Sequence, residues 1–150
     1  MNSDAISKNP VFVASDHAGF DLKEWLKGEF LEVKWVDLGP TNDQRVDYPD
    51  YASMLCQEML KRPDAKGLLI CGSGQGMAMR ANKYPHIRAA LAWSEESARL
   101  AREHNDANVL CIGSRLLELR LSKSLVRIFL STPFAGGRHL DRVQKISLPV

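Results

Sequence analysis

No run of apolar residues in this 150-residue chain approaches the roughly 20 that a membrane-spanning helix requires. The first ten residues are polar and lack the apolar centre of an export signal. They read as a loose, disordered tail (1–10) ahead of one domain (11–150). Cysteine is scarce: Cys56, Cys71 and Cys111 are three in number, far apart and in no C-x-x-C pair. That argues against a zinc site or a disulfide framework, and for reduced thiols in a cytoplasmic protein. Excess charge is lacking too. With a formal net charge of +2 and no Lys/Arg run interleaved with aromatics, the chain carries no electrostatic footprint for nucleic acid. Any anion it binds is then a small ligand held by a few local Arg and His side chains. There is no internal repeat, low-complexity tract or linker. What is present is the composition of a globular domain, 45% hydrophobic and 25% charged, in a length that buries a real core.

Short apolar runs alternate with longer helical patterns. Strands are predicted at 11–15, 33–38, 67–71, 87–91 and 108–112, and helices at 20–29, 48–61, 95–103, 118–130 and 138–146, with one more following the glycine loop through Asn82. Strands apolar on both faces, alternating with helices, predict a three-layer α/β (αβα, Rossmann-like) domain around a five-stranded parallel sheet. In such a fold the ligand sits outside the carboxyl ends of the strands. Those ends carry Asp16-His17, the stretch Cys71 to Gly76, and Gly113-Ser114-Arg115. His104-Asn105-Asp106 precedes the fifth strand and falls at the opposite pole. One subunit is therefore not expected to bring His104 to Cys71 unless the helix end bends round; otherwise a second copy of the chain completes the site.

Cys71-Gly72-Ser73-Gly74-Gln75-Gly76 joins a strand to a helix, a setting in which backbone N–H groups converge on a phosphate or a developing oxyanion. Named motifs do not match. Gly76 is followed by Met77-Ala78 rather than the Lys-Ser/Thr of a P-loop, the glycine spacing is wrong for a dinucleotide fingerprint, and Arg80 lies three residues too late for a cysteine phosphatase. Cys71 is either a buried filler of the strand end or a thiol activated by the N–H groups of the loop. Asp16-His17 is a helix cap with a surface imidazole, or part of a site. Arg138 and Arg142, in R-H-x-x-R around His139, form a solvated basic face or a phosphate clamp. His104 and its neighbours close a helix or serve in catalysis, and Tyr48-Pro49 starts a helix.

In order, Ser15-Asp16-His17-Ala18-Gly19, Val46 to Ala52, Ile70 to Met77, Ala81-Asn82-Lys83, Ile87 to Ala90, His104 to Val109, Gly113-Ser114-Arg115 and Gly137-Arg138-His139 resemble ribose-5-phosphate isomerase type B and its galactose-6-phosphate and allose-6-phosphate relatives. The resemblance runs from about Val11 to about Ile146. It implies an aldose–ketose isomerisation of D-ribose 5-phosphate and D-ribulose 5-phosphate, in the non-oxidative branch of the pentose phosphate pathway, through an enediolate and with no metal or organic cofactor. It implies Cys71 as the base, N–H groups of Gly72 to Gly76 (Gly74 and Gln75 included) as the oxyanion hole, and Ser73 as a relay between the two oxygens. His104 becomes the ring-opening acid/base assisted by Asp16, Asn105 a substrate ligand, and Tyr48 a wall of the sugar pocket. His17, Arg115, Arg138 and Arg142 become phosphate ligands. It also implies a homodimer, or a tetramer built from it, with His104, Asn105 and Arg115 supplied by the neighbouring subunit. Some members carry the base as a Glu one turn on; Gln75 and Gly76 offer no carboxylate, which favours Cys71. The alternatives are a hexose-phosphate isomerase of the same family and a non-catalytic phosphate-binding module.

Overall fold

The computed structural model describes residues 5, 6 and 8–150. Five parallel strands, β1 (Val11–Ser15), β2 (Trp35–Asp37), β3 (Lys66–Cys71), β4 (Ala89–Leu91) and β5 (Val109–Gly113), form one sheet in the order β2-β1-β3-β5-β4. Among the described residues the α-helices are α1 (Phe20–Glu29), α2 (Tyr48–Leu60), α3 (Gln75–Ala81), α4 (Glu95–Glu103), α5 (Leu119–Ser131) and α6 (Leu140–Ile146). The α/β, three-layer expectation holds.

Alternation along the three central strands divides the interior into two cores, as the two-residue period of a strand requires. Val11, Val13, Leu68, Ile70, Leu110 and Ile112 face α1, α4 and α5, meeting Leu26, Ala98, Leu125 and Phe129. Phe12, Ala14, Leu69, Cys71, Val109 and Cys111 face α2 and α3, meeting Leu55, Cys56, Met59 and Met77. Cys71 thus belongs by register to the α2/α3 layer. The chain runs from β1 outward to β2 and then returns to the other side of β1 with β3, so the strand order reverses between β1 and β3. The crevice above that reversal is where this architecture leaves room for a ligand.

Departures from the sequence expectations are local. The edge strands are shorter than predicted, Trp35–Asp37 and Ala89–Leu91. Before β4, the Ile87 N–H donates to the Tyr84 carbonyl and the Arg88 N–H to Asn108 Oδ1, so neither N–H joins the ladder, and Arg88 meets the start of β5 through its carbonyl alone. The expected final helix splits into a 3-10 turn (Gly137–His139) followed by α6, so Arg138 and Arg142 do not share one regular helix. Of the expected tail, residues 1–4 and 7 lie outside the described residues; Ile6 packs against the α1/α5 core, Asn9 Nδ2 donates to the Asp64 carbonyl at 3.3 Å, and Pro10 is buried.

Two glycines let the carboxyl ends of β3 and β5 close on each other. A Cβ on Gly113 would lie 2.6–2.7 Å from the backbone of Ser73, and one on Gly74, whose φ is +78°, would lie 2.9 Å from the carbonyl carbon of Ile112. Side chains do not fit at either place. Ser114 N–H to the Cys71 carbonyl (2.8 Å) and Arg115 N–H to the Gly72 carbonyl (3.0 Å) then tie the two post-strand loops together.

A buried charge fixes α1 to β2. Lys23 is fully buried, and its Nζ lies 2.7 Å from Asp37 Oδ2 and 2.9 Å from Glu24 Oε1. Lys27 reaches the same Asp37 oxygen at 2.6 Å. Burial works against the charged form of Asp37, yet Lys23, Lys27 and the Gly39 N–H outweigh it and leave its carboxyl below the usual range. Asp37 is partly exposed and keeps Lys27, so the loss in Lys23→Ala is chiefly that of the buried side chain and its packing, expected to cost about 2 kcal/mol, read by urea unfolding. Lys23→Met keeps the volume and leaves Lys27 on Asp37, so it costs less. The Asp37 contribution is present above its unfolded value of about 4 and is lost as pH falls through its lower folded value. Asp37→Asn therefore flattens that acid limb of a stability-versus-pH curve.

Candidate active site

The post-strand segments at the reversal point enclose a cleft of about 350 Å³ lined by Asp16, Tyr48, Cys71, Gly72, Ser73, Gly76, Arg115 and Leu116. Seven of these eight are residues the sequence marks; Leu116, an exposed apolar side chain, is the addition. Cys71 ends β3 and is only 4% exposed. Its Sγ accepts the N–H of Gly74 at 3.1 Å, a geometry created by the left-handed backbone at Gly74 that starts α3. The other two cysteines sit in the same layer without a cleft. Burial pushes the Cys56 thiol up to about 12 and raises the Cys111 thiol well above its ordinary value, so both are inert fillers at neutral pH.

Each wall residue is placed by a local rule. Asp16 follows β1 and is buried; its Oδ1 accepts the Gly19 N–H at 3.0 Å. Asp16 is not the N-cap of α1, which is Gly19; its carboxylate closes the turn just before the helix and also lines the cleft. His17 is next, with Nδ1 3.1 Å from the Val46 carbonyl oxygen and 3.2 Å from the Val46 nitrogen, which fixes the ring beside the loop leading to Tyr48. Tyr48 opens α2 with Pro49 behind it, and its ring lies where a Cβ on Gly76 would be (2.4–2.8 Å). Arg115 crosses Gly72 in the same way, its Nη1 3.0 Å from the position of a Gly72 Cβ. Two loop glycines thus make room for two polar side chains of the cleft rather than for unusual backbone angles.

Within the loop, the Gly74 N–H is committed to Cys71 Sγ and the Gln75 N–H points at Ser73 Oγ, 3.4 Å away. Gln75 is exposed and does not line the cleft. Both N–H groups thus have partners inside the loop. Arg115 stands on this side of the sheet as well. It lines the cleft of the same chain that carries Cys71, so no neighbouring subunit is needed to deliver it.

His104, Asn105, Arg138 and Arg142 lie elsewhere. With His139 they line a separate, open cavity of about 430 Å³ that shares no residue with the Cys71 cleft. The separation follows from strand direction. The residues of β5 span about 13 Å from Val109 to Gly113; Gly113 pairs with Cys71, whereas His104 ends α4 before the strand begins. The turn there is made by Asp106, at φ +45°, rather than by an Asn. Its carboxylate is held by Arg102 (2.9 Å) and Arg88 (3.3 Å), which makes Asp106 a structural strut. His139 had no role on sequence grounds. Its ring stacks on that of His104 at 4.3 Å between centroids and 16° between planes. The signal for it was R-H-x-x-R itself, in which the histidine sits beside both arginines.

Within one chain, then, there are two separate polar clefts: one with a thiol, two hydroxyls, a carboxylate and an arginine, the other with two imidazoles, an amide and two arginines. Among the described residues there is no cluster of His, Cys, Asp and Glu that could hold a metal ion, and no helix long and apolar enough to cross a membrane.

Comparison with known proteins places the chain. The family model for ribose/galactose isomerases matches residues 11–146. A protein of Mycoplasma pneumoniae named as a probable ribose-5-phosphate isomerase B is 47% identical over 143 residues, covering 92% of this chain and 93% of that one. Ribose-5-phosphate isomerase B of Escherichia coli is 41% identical, covering 88% and 90%. Among solved structures, that of the ribose 5-phosphate isomerase from Thermotoga maritima superposes with a TM-score of 0.90 at 45% identity, covering 94% of this chain and 99% of that one. The Mycoplasma genitalium enzyme, solved with bound ribulose-5-phosphate, superposes with a TM-score of 0.88 at 41% identity, covering 95% and 96%. With its sheet, its glycine loop and nearly its whole length matched, the chain belongs to the ribose/galactose isomerase family.

Proposed function

We propose that this chain interconverts D-ribose 5-phosphate and D-ribulose 5-phosphate through an enediolate, with Cys71 as the base. The observation that carries the reading is the Gly74 N–H donated to Cys71 Sγ at 3.1 Å, at the floor of a cleft that also holds Asp16, Ser73 and Arg115. The substrate is supported by the names of the relatives and by the ribulose-5-phosphate bound to the Mycoplasma genitalium enzyme.

The chemistry divides among the residues as follows. His104, assisted by Asp16, moves the proton between the ring oxygen and the anomeric hydroxyl, which opens the furanose to the aldehyde. The Cys71 thiolate takes the proton from C2, and the electron pair flows to the carbonyl oxygen on C1. N–H groups of Gly72, Ser73 and Gly76 meet the negative charge that develops there, usually the largest catalytic contribution. Ser73 Oγ passes the proton between O1 and O2, and Cys71 returns its proton to C1 to give the ketose. His17, Arg115, Arg138 and Arg142 take the phosphate, with Tyr48 and Asn105 along the sugar.

Two half-sites in one chain, separated by the length of the sheet, support a homodimer in which His104, Asn105, Arg138 and Arg142 of one copy close over Cys71 of the other. A C2 arrangement satisfies both clefts at once. Reduced, unpaired thiols fit a cytoplasmic setting.

Cys71→Ala is expected to lower kcat by about 10³-fold while sugar-phosphate binding persists, measured by ribulose 5-phosphate formation and by calorimetry. A wild type inactive on ribose 5-phosphate but active on allose 6-phosphate or galactose 6-phosphate would move the substrate to a hexose; inactivity on all three would leave only a binding module. The shared site has its own check. Cys71→Ala and His104→Ala chains, each inactive alone, are expected to regain about one quarter of wild-type activity after mixing and subunit exchange, since half the dimers become mixed and each of those has one intact site. Mixed dimers that stay inactive refute sharing.

A further inference from the structure

We infer that His139 is a positioning residue for His104: by stacking face to face, it sets the plane in which the His104 imidazole meets the sugar ring. The inference rests on the reading of His104 as the ring-opening acid/base.

His104 needs such a device. Its backbone N–H is anchored to the Leu100 carbonyl at the end of α4 (2.9 Å), but among the described residues its ring makes no hydrogen bond. The torsion that turns an imidazole is broad and soft, so a ring without a partner wanders over many orientations. The face of His139 supplies the missing constraint, 4.3 Å away and within 16° of parallel. One side of the His104 ring is covered and its nitrogens are left at the edge, where proton transfer to an oxygen takes place. For an acid/base group geometry comes first, and a displacement of about 1 Å can cost two orders of magnitude in rate.

The placement of His139 is itself enforced. Gly136 and Gly137 both have positive φ, +66° and +56°, and turn the chain back so that the His139 N–H reaches the Gly136 carbonyl at 3.1 Å. Just before them, the Ala135 N–H donates to the Glu103 carbonyl at 3.1 Å, which ties this segment to the last residue of α4, next to His104. The charge balance agrees with the geometry. Burial, then the positive fields of His104, Arg138 and Arg142, lower the His139 pKa, and only Glu103 opposes them. A neutral His139 stacks on its neighbour without the repulsion that two imidazolium rings would suffer. It also leaves Arg138 and Arg142 as the cations that face an anion.

The test separates stacking from ligation. Ribose 5-phosphate is a closed furanose and must be opened. Ribulose 5-phosphate has its 5-oxygen phosphorylated, cannot close a furanose, and enters as an open chain. Net conversion must fall equally in both directions, because the equilibrium constant is fixed; the step that omits the ring is exchange of the C1 proton of ribulose 5-phosphate with D2O through the enediolate. His139→Ala and His139→Gln are expected to lose about tenfold in kcat for net conversion with KM within about twofold, and to keep the C1 exchange rate within about twofold of wild type. His139→Phe, which keeps a flat face but no ring nitrogen, is expected to restore net conversion to within about threefold of wild type. A Phe variant as poor as the Ala variant, or a raised KM with kcat intact, overturns the inference and makes His139 a ligand; an unchanged His139→Ala overturns it outright. His104→Ala is the control. If it loses C1 exchange as fully as net conversion, the ring-opening reading itself fails; if it keeps exchange while the His139 variants lose exchange and conversion alike, only the present inference fails.

Discussion

The site depends on one close approach, that of the glycine loop to the end of β5. Gly74 and Gly113 sit where the backbones of Ile112 and Ser73 leave no space for a Cβ, and the Ser114 and Arg115 N–H groups seal the contact by bonding back to the Cys71 and Gly72 carbonyls. Because the loop is pressed down at Gly74, that residue takes the left-handed conformation and its N–H turns toward Cys71 Sγ. The thiol, the start of α3 and the path of Arg115 over Gly72 all follow from the same contact. A single methyl at position 113 would displace the backbone of Ser73 and loosen every one of them.

The direction of the sheet does the rest. Parallel strands send their carboxyl ends to one pole, so Asp16, Cys71 and Arg115 converge without any long-range adjustment. The same rule sends helix ends to the other pole, where His104 and Asn105 meet the Gly136-Gly137 turn with Arg138 and Arg142. Within one chain the two clefts therefore lie at opposite poles. The proposed two-fold site rests on that strand polarity more than on any particular surface.

Much of this was legible in the sequence for a definite reason. Strands buried on both faces are continuous apolar runs, and Val11–Ser15, Lys66–Cys71 and Val109–Gly113 are of that kind. Edge strands were read too long because apolar character does not report pairing; Ile87 is buried but its N–H serves a turn. The cleft was legible because its residues follow strand ends, which the topology brings together whatever the strand order. Lys23 was not, since a lysine in a helix reads as solvent-facing and its partner Asp37 ends an edge strand whose neighbour only the sheet order identifies. The stack of His139 on His104 was hidden for a related reason. It depends on two glycines bending the chain, and the residues it joins are 35 positions apart.

The three cysteines share one layer and differ in what surrounds the sulfur. Cys56, Cys71 and Cys111 all pack in the α2/α3 core and are all nearly inaccessible. Burial raises the thiols of Cys56 and Cys111. Cys111 lies mid-strand, where the peptide N–H groups are spent on the ladder and none is left for sulfur. Cys71 is the last residue of its strand, where the ladder ends and the next helix begins. There the N–H of Gly74 has no carbonyl to bond and turns to the thiol instead. What sets Cys71 apart from the other two is its position at the end of a strand, not its exposure. The glycines beyond Cys71 matter chiefly because they let the backbone fold over it.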